Sequence, residues 1–145
     1  MKVYIKSNSY FGAHRPSSPL KYPDEVATID QVETHGIFPE DVLDNCRFYA
    51  DGNTREAKRC ASIMKSLQGK PEAEVTIYRG SPKGELNTGD WVTLDPNYAE
   101  NYAEGGSDGS KGAKVYSYKV KAKDISWDGD SFLEFGYWGP NIKAE

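Results

Sequence analysis

Apolar residues never run for more than three in succession in this chain, and this limit constrains its fold more than any other feature. The longest runs, at residues 3–5 and 48–50, are far shorter than the roughly 20 residues of a transmembrane helix or the ~7–15 of a signal-peptide core. We therefore expect a soluble protein with no membrane segment, whose core has to be recognised from the spacing of its apolar residues.

The size and composition of the chain predict one folded domain over residues 1–145. A chain of 145 residues buries roughly two-thirds of its unfolded surface, which is enough for a core without disulfides or metals. Its 37% hydrophobic and 12% aromatic content excludes a disordered chain. With 18 basic and 22 acidic side chains the net charge is −4, which argues against nucleic acid as a partner.

Cys46 and Cys60 each lie among apolar residues at helical spacing. Two cysteines are too few for a disulfide scaffold, so reduced core thiols are favoured over the alternative of a disulfide. Such usage is typical of cytoplasmic proteins, and we expect a cytoplasmic site of action.

The N-terminal part of the chain carries weak signals. Alternation at residues 2–7 predicts a short strand, and the prolines and small polar residues that follow make regular structure doubtful at residues 8–35. We interpret residues 1–35 as an irregular N-terminal arm.

Two helices are predicted after this arm. Pro39 at a first helical position begins one that ends near residue 52. Asn53 is the predicted N-cap of the second, which ends at Gly69. The apolar stripe of this second helix consists of Ala57, Cys60, Ala61, Met64 and Leu67.

The rest of the chain reads as strands with one short helix between them. Strands are expected at residues 75–79, 91–93, 115–121 and 131–137, with turns at 80–84 and 128–130. Asp95 as a cap and Pro96 as the first helical residue predict a helix to about Glu104, and the glycine-rich residues 105–112 predict a flexible loop. Helices followed by strands indicate an α+β domain.

Arg79 is an anomaly, because period two places it on the same inward face as Val75 and Ile77. A buried guanidinium requires a carboxylate or an anionic ligand, and the residue types alone leave these two alternatives equal. Gly80 and Ser81 directly after it favour a ligand, because glycine allows a close approach to the backbone.

Glu134 is the second anomaly, since it lies within the most aromatic heptad of the chain, residues 132–138. Among such neighbours a carboxylate is the salt-bridge partner of a residue like Arg79, a functional acid, or both at once. Tyr98 and Tyr102, at helical spacing, are either core residues or a stacking surface.

The sequence predicts no metal site. Asp124, Asp128 and Asp130 lack the ligand spacing of a calcium loop, and a solvated turn is favoured. His14 and His35 have no Cys or His at ligand spacing.

Three stretches of the chain occur in an order that is characteristic of one enzyme family. They are Tyr78-Arg79-Gly80-Ser81, then Gly89-Asp90-Trp91-Val92-Thr93-Leu94-Asp95-Pro96 with the helix that follows, and Phe132-Leu133-Glu134-Phe135-Gly136-Tyr137. Together they resemble the ADP-ribosyltransferase superfamily, and their spacing is similar to that of its small bacteriophage-type members. The resemblance covers about residues 36–138.

The resemblance implies a split β-sheet core with N-terminal helices, NAD as the ADP-ribose donor, no metal, and a host protein as the acceptor of a monomeric enzyme. By matching position, Glu134 and Arg79 are its catalytic residues. The residues implied to bind NAD are Arg79, Gly80, Ser81, Trp91, Thr93, Tyr98 and Tyr102. Phe132 stands where arginine-modifying members have Glu or Gln, so arginine is not implied as the acceptor.

Two other functions stay open from the sequence. One is a catalytically inactive member of the same fold that binds or inhibits a host factor, which the loss of hydroxyls from the second motif favours. The other is a structural or virion-associated domain. Surface loops decide the acceptor, and they carry no motif.

Overall fold

The computed structural model describes residues 15–105 and 114–143, and for residues 102–105 it describes the backbone alone. These residues form a mixed α+β fold, as the sequence predicts. The helices are α1 (Arg55–Ser66) and α2 (Pro96–Gly105). The strands are β1 (Ala27–Thr28), β2 (Glu74–Ser81), β3 (Glu85–Leu86), β4 (Trp91–Val92), β5 (Lys114–Lys121), β6 (Ile125–Trp127), β7 (Phe135–Tyr137) and β8 (Ile142–Lys143). Short 3-10 helices lie at Ile29–Gln31, Cys46–Phe48 and Ala122–Asp124.

The strands form one four-stranded antiparallel sheet and two antiparallel pairs. The larger sheet has the order β1-β6-β7-β4, while β2 pairs with β5 and β3 with β8. A single bridge between Tyr78 and Thr93 joins β2 to the end of β4, with N–H···O distances of 2.9 and 3.1 Å. Strand β4 therefore lies between β2 and β7, and this arrangement positions the candidate site.

Helix α1 supplies the apolar stripe that its spacing predicts. Ala57, Cys60, Ala61, Met64 and Leu67 are all buried in the core shared with the sheets. The helix begins one residue later than predicted.

The cap of α1 is Thr54 and not Asn53. The Thr54 hydroxyl accepts a hydrogen bond from the Ala57 N–H at 3.1 Å, which satisfies one of the unpaired donors of the first turn. Cys46 and Cys60 are free and buried, which confirms the prediction of core thiols.

The predicted helix from Pro39 to residue 52 is wrong. The segment is a series of turns with one 3-10 helix, and Asn45 departs from helical geometry at φ −122°, ψ 43°. The Asp41 carboxylate accepts hydrogen bonds from the Asn45 amide and the Tyr49 hydroxyl, and such side-chain bonds compete with helix formation. A β-carbon at Gly52 would collide with the Cys46 carbonyl oxygen, so the chain closes tightly here.

The interpretation of residues 1–35 as irregular is wrong at its C-terminal end. Residues 27 and 28 pair with β6 as the edge strand of the larger sheet, and a 3-10 helix at Ile29–Gln31 follows. Val26, Ala27 and Ile29 are buried, so this end of the arm is part of the core. The strand predicted at residues 2–7 lies outside the described residues.

Two strand boundaries also differ from prediction. Gly80 and Ser81 continue β2 and do not begin the turn, which occupies residues 82–84. The strand predicted at 131–137 is only β7, and β6 was not predicted. The bend at 128–130 and the helix capped by Asp95 are confirmed, whereas the loop at 106–112 lies outside the described residues.

Candidate functional site

Glu134 is held at the start of β7, in the last residue before the strand. Its side chain is among the largest fully buried ones, with 2% of the residue exposed. Its Oε2 atom accepts a hydrogen bond of 2.5 Å from the Tyr98 hydroxyl. A charge-assisted O–H···O⁻ bond of this length is a strong one, so the carboxylate has a fixed orientation.

Tyr98 reaches Glu134 because the residues that precede α2 hold its first turn in place. The Asp95 side chain caps the helix by accepting from the Tyr98 N–H at 2.9 Å, and it pairs with Arg59 of α1 at 2.6 Å. Thr93 is buried, and its hydroxyl accepts from the Asp95 N–H at 3.2 Å. The Thr93 hydroxyl and the Asp95 carboxylate, both directly before α2, thus fix the position of the helix start.

Arg79 lies two residues before the end of β2, and 24% of its side chain is exposed. Its Nη1 donates to the Trp91 carbonyl oxygen at 2.7 Å, and its Nε lies 3.6 Å from Asp90 Oδ2. The acidic neighbour of Arg79 is therefore Asp90. Glu134 is not among the described contacts of Arg79.

Strand β4 lies between Arg79 on β2 and Glu134 before β7. Because Tyr78 pairs with Thr93 and Trp91 with Gly136, alternation places Arg79 on the sheet face of Val92 and Glu134 on the opposite face, with Trp91. The intervening strand contains Trp91. Its backbone carbonyl accepts from Arg79, and its buried side chain lines the same narrow cleft as Glu134.

This cleft lies on the sheet face opposite to the main core. Thr28, Ser126, Gly136 and Trp91 occupy directly paired positions on four successive strands, which places their side chains on one face. Pro16 covers this row so closely that a β-carbon at Gly136 would lie 2.6 Å from the Pro16 Cβ.

The segment of residues 15–17 leaves little space beside Glu134. Pro16 and Ser17 line the cleft and leave a volume of about 0 Å³ that a water molecule could enter, whereas ligand pockets commonly measure ~300–1,000 Å³. Arg15 secures the segment by donating to the Gly89 carbonyl oxygen at 3.1 Å, and it lies 3.7 Å from Asp90. Asp90 thus faces both Arg79 and Arg15.

The other predicted NAD-binding residues differ in their surroundings. Ser81 is buried at the end of β2, and its hydroxyl accepts from the Lys83 N–H at 3.3 Å. Gly80 is half-buried within β2. Tyr102 lies in α2, and its side chain is outside the described part of the structure.

Two residues of the site were missed from the sequence. Asp90, which contacts Arg79, lies 11 positions after it along the chain, and the alternation of apolar residues in a strand does not predict contacts between strands. Tyr118, opposite Ile77 on β5, is buried, and this burial raises the pKa of its phenol against the opposing influence of the Arg79 charge. Apolar alternation in residues 115–121 was the available signal for Tyr118.

Within residues 15–105 and 114–143, no group of His, Cys, Asp or Glu side chains is arranged to hold a metal ion. Nor does this part of the chain contain a helix with the length and apolar character that crossing a bilayer requires. Comparisons of the chain with protein-family models, with curated proteins and with solved structures gave no match. The site is therefore interpreted from its own geometry.

Proposed function

We propose that this protein is an NAD-dependent ADP-ribosyltransferase with a split-sheet core, encoded by a bacteriophage and acting as a monomer on a host protein in the cytoplasm. The observation that carries the proposal is the Glu134 carboxylate, which is buried and oriented by a hydrogen bond from Tyr98. Burying a carboxylate among aromatic residues costs free energy that pairing and hydrogen bonds only partly offset, and such costly groups are concentrated at functional sites.

The chemistry matches these groups. Transfer breaks the bond between the ribose carbon and the nicotinamide nitrogen, nicotinamide leaves with the electron pair, and an acceptor nucleophile then bonds to the carbon and loses its proton. Nicotinamide in NAD is already a cationic leaving group, so the main requirement is stabilisation of positive charge on the ribose. Glu134 supplies negative charge, and Tyr98 maintains its orientation.

The remaining residues fit binding roles. Arg79 offers a permanent positive charge to the pyrophosphate, and its bond to the Trp91 carbonyl fixes the guanidinium plane. The Gly80 backbone and Ser81 hold the nicotinamide amide in this proposal, with Trp91, Thr93 and Tyr102 as further binding residues. Donor binding requires residues 15–17 to move away from the cleft, because the closed cleft has no space for a molecule of the size of NAD.

The narrow cleft favours a second candidate, an inactive protein of the same fold that binds or inhibits a host factor. In that case Pro16 remains packed on Gly136, and the side chains of Arg79 and Glu134 only form interactions that stabilise the fold. The two candidates differ in whether NAD is consumed.

The deciding experiment measures NAD hydrolysis and the transfer of label from NAD to proteins of a host lysate. The wild type is compared with Glu134→Gln, which keeps an acceptor oxygen for Tyr98 but removes the charge, and with Glu74→Gln, an exposed glutamate at the start of β2. We expect Glu134→Gln to lose about a hundredfold or more in kcat while still binding NAD, and Glu74→Gln to match the wild type. NAD binding without turnover in the wild type would favour the inactive candidate, and equal activity of Glu134→Gln would remove Glu134 from the mechanism.

A further inference from the structure

A second cavity, of about 460 Å³, is lined in part by the bend at residues 128–130. Asp128 lines both this cavity and the cleft of Glu134, so the two are neighbours. We call it the acidic pocket, and define it by an apolar floor of Ile37, Phe38, Val42 and Tyr49 and a rim of Asp24, Glu25, Asp128 and Asp130.

The floor is built from side chains that the fold already holds in place. The Phe38 ring packs on Trp127 with 4.8 Å between centroids, and it lies so close to Gly129 that a β-carbon there would be 2.9 Å from its edge. The φ of Gly129 is +82°, a conformation that other residues rarely adopt. The Tyr49 hydroxyl donates to Asp41 at 2.5 Å, which fixes the second ring.

The rim carries one sign of charge. Asp24 and Glu25 approach from the segment before β1, and Asp128 and Asp130 come from the bend before β7, where Asp128 accepts from the Asp130 N–H at 2.9 Å. No Lys, Arg or His is among the described residues that line the pocket. Asp41, which accepts hydrogen bonds from Tyr49 and Asn45, is a further carboxylate next to the Tyr49 side of the floor.

The combination selects among possible ligands. A bare metal ion does not fit, because none of the described acidic side chains is grouped for coordination and the floor is apolar. A purely polar cation leaves the aromatic floor exposed to water. A chain that alternates Arg or Lys with apolar side chains matches both features, since its cations reach Asp24 and Asp128 while its apolar groups and the Arg planes cover Phe38 and Tyr49.

We propose that the acidic pocket docks a basic, apolar-containing peptide segment of a partner protein. The segment lies beside the cleft of Glu134, because Asp128 is common to both cavities. This inference concerns binding alone, so it stands or falls separately from the proposed transferase activity.

The test uses a fluorescein-labelled peptide, Arg-Leu-Arg-Phe-Arg-Leu, in a polarisation titration without NAD. The rim variant, Asp24→Asn/Asp128→Asn, removes two charges while the amide introduced at position 128 keeps an oxygen that can accept from the Asp130 N–H. The control pair, Glu74→Gln/Glu100→Gln, removes two exposed charges elsewhere. We expect the rim variant to weaken binding about tenfold at ~0.15 M salt and the control pair to leave it unchanged. Ile37→Ser should weaken it severalfold by removing part of the floor.

Four further measurements make the test decisive. Arg-Gly-Arg-Ser-Arg-Gly and spermine, which carry charge without apolar groups, should bind much more weakly, and Glu-Leu-Glu-Phe-Glu-Leu should not bind. Glu134→Gln should bind the basic peptide like the wild type, which separates this result from any loss of transfer. Equal binding of the charged but non-apolar probes, or equal weakening in both double variants, would overturn the docking site in favour of a diffuse electrostatic attraction.

Discussion

The hydroxyl of Tyr98 donates to Oε2 of Glu134 across 2.5 Å and so links the first turn of α2 to the residue before β7. The two residues are 36 positions apart in sequence. The link matters because a carboxylate with 2% exposure depends on its donors for the stability of its charged form. The same bond fixes the direction in which the second carboxylate oxygen points.

We expect Tyr98→Phe to lower the free energy of unfolding by about 1–3 kcal/mol, because a buried carboxylate loses a donor. Urea denaturation at neutral pH measures the change. Tyr22→Phe, which removes the hydroxyl of an exposed tyrosine, is the matched control and should match the wild type. Equal stability of the two variants would mean that the Tyr98 bond makes no net contribution to folding. If the protein transfers ADP-ribose, Tyr98→Phe should also lower kcat more than it raises KM.

Arg15→Ala should loosen the segment of residues 15–17 from the cleft. The ion pair to Asp90 is long and the Arg15 side chain is 64% exposed, so it and the bond to Gly89 contribute on the order of 1 kcal/mol. Such a change corresponds to roughly a fivefold shift toward the open cleft. Faster hydrogen exchange in residues 88–91, with Lys21→Ala as the control, is the direct readout.

The same Arg15→Ala variant should bind NAD up to about fivefold more tightly if donor binding displaces the segment. Isothermal titration with NAD measures the affinity. Faster exchange with unchanged NAD affinity would separate the segment from donor binding, whereas unchanged exchange would show that Arg15 does not hold the segment.

Both cysteines should resist alkylation in the native protein. Burial raises the pKa of the Cys60 thiol, and the Asp95 carboxylate adds to this effect, so little reactive thiolate forms at neutral pH. Cys46 is buried as well. Mass spectrometry after iodoacetamide treatment should show no modification until urea unfolds the chain, and then two adducts. Rapid labelling of Cys60 under native conditions would contradict its place in the core.

Local patterns in the sequence predicted the parts of this fold that depend on local spacing. The buried stripe of α1, the capping of α2 by Asp95 and the inward position of Arg79 all follow from periodicity or from one residue at a helix start. The contacts that complete the site do not, because each joins residues that are far apart. Pro16 lies on Gly136, and the Tyr98 hydroxyl lies on Glu134, and neither pairing leaves a trace in the neighbouring sequence.

The failed helix after Pro39 has a different cause. Its first residues favour a helix N-terminus. However, the Asp41 carboxylate accepts hydrogen bonds from Asn45 and Tyr49, and Gly52 packs against the Cys46 carbonyl oxygen. Tertiary packing and side-chain bonding therefore prevail over a weak helix propensity.

Glu72 offers a test of the hydrogen bonds at the base of β2 and β5. Its carboxylate accepts from Lys121 at 2.8 Å and lies 2.7 Å from the Lys123 ammonium, and these contacts lower its pKa from 4.5 to about 2. A carboxyl group whose pKa is lowered by folding contributes stability that is complete above its unfolded value and is lost as the pH falls through its folded value. The contribution of Glu72 should therefore be constant above pH 4.5, decline below it, and be gone below about 2.

Glu72→Gln isolates this contribution, because all other carboxyl groups titrate equally in both proteins. We expect the wild type to have the higher Tm near neutral pH, and the difference to shrink between pH 4.5 and about 2. Since the group is exposed, the difference should also shrink when the salt concentration rises to ~1 M. Thermal melts followed by circular dichroism across this pH range measure it, with Glu74→Gln as the control. A difference in Tm that stayed constant through the acid range would assign the effect to the change in side chain and not to the ion pairs.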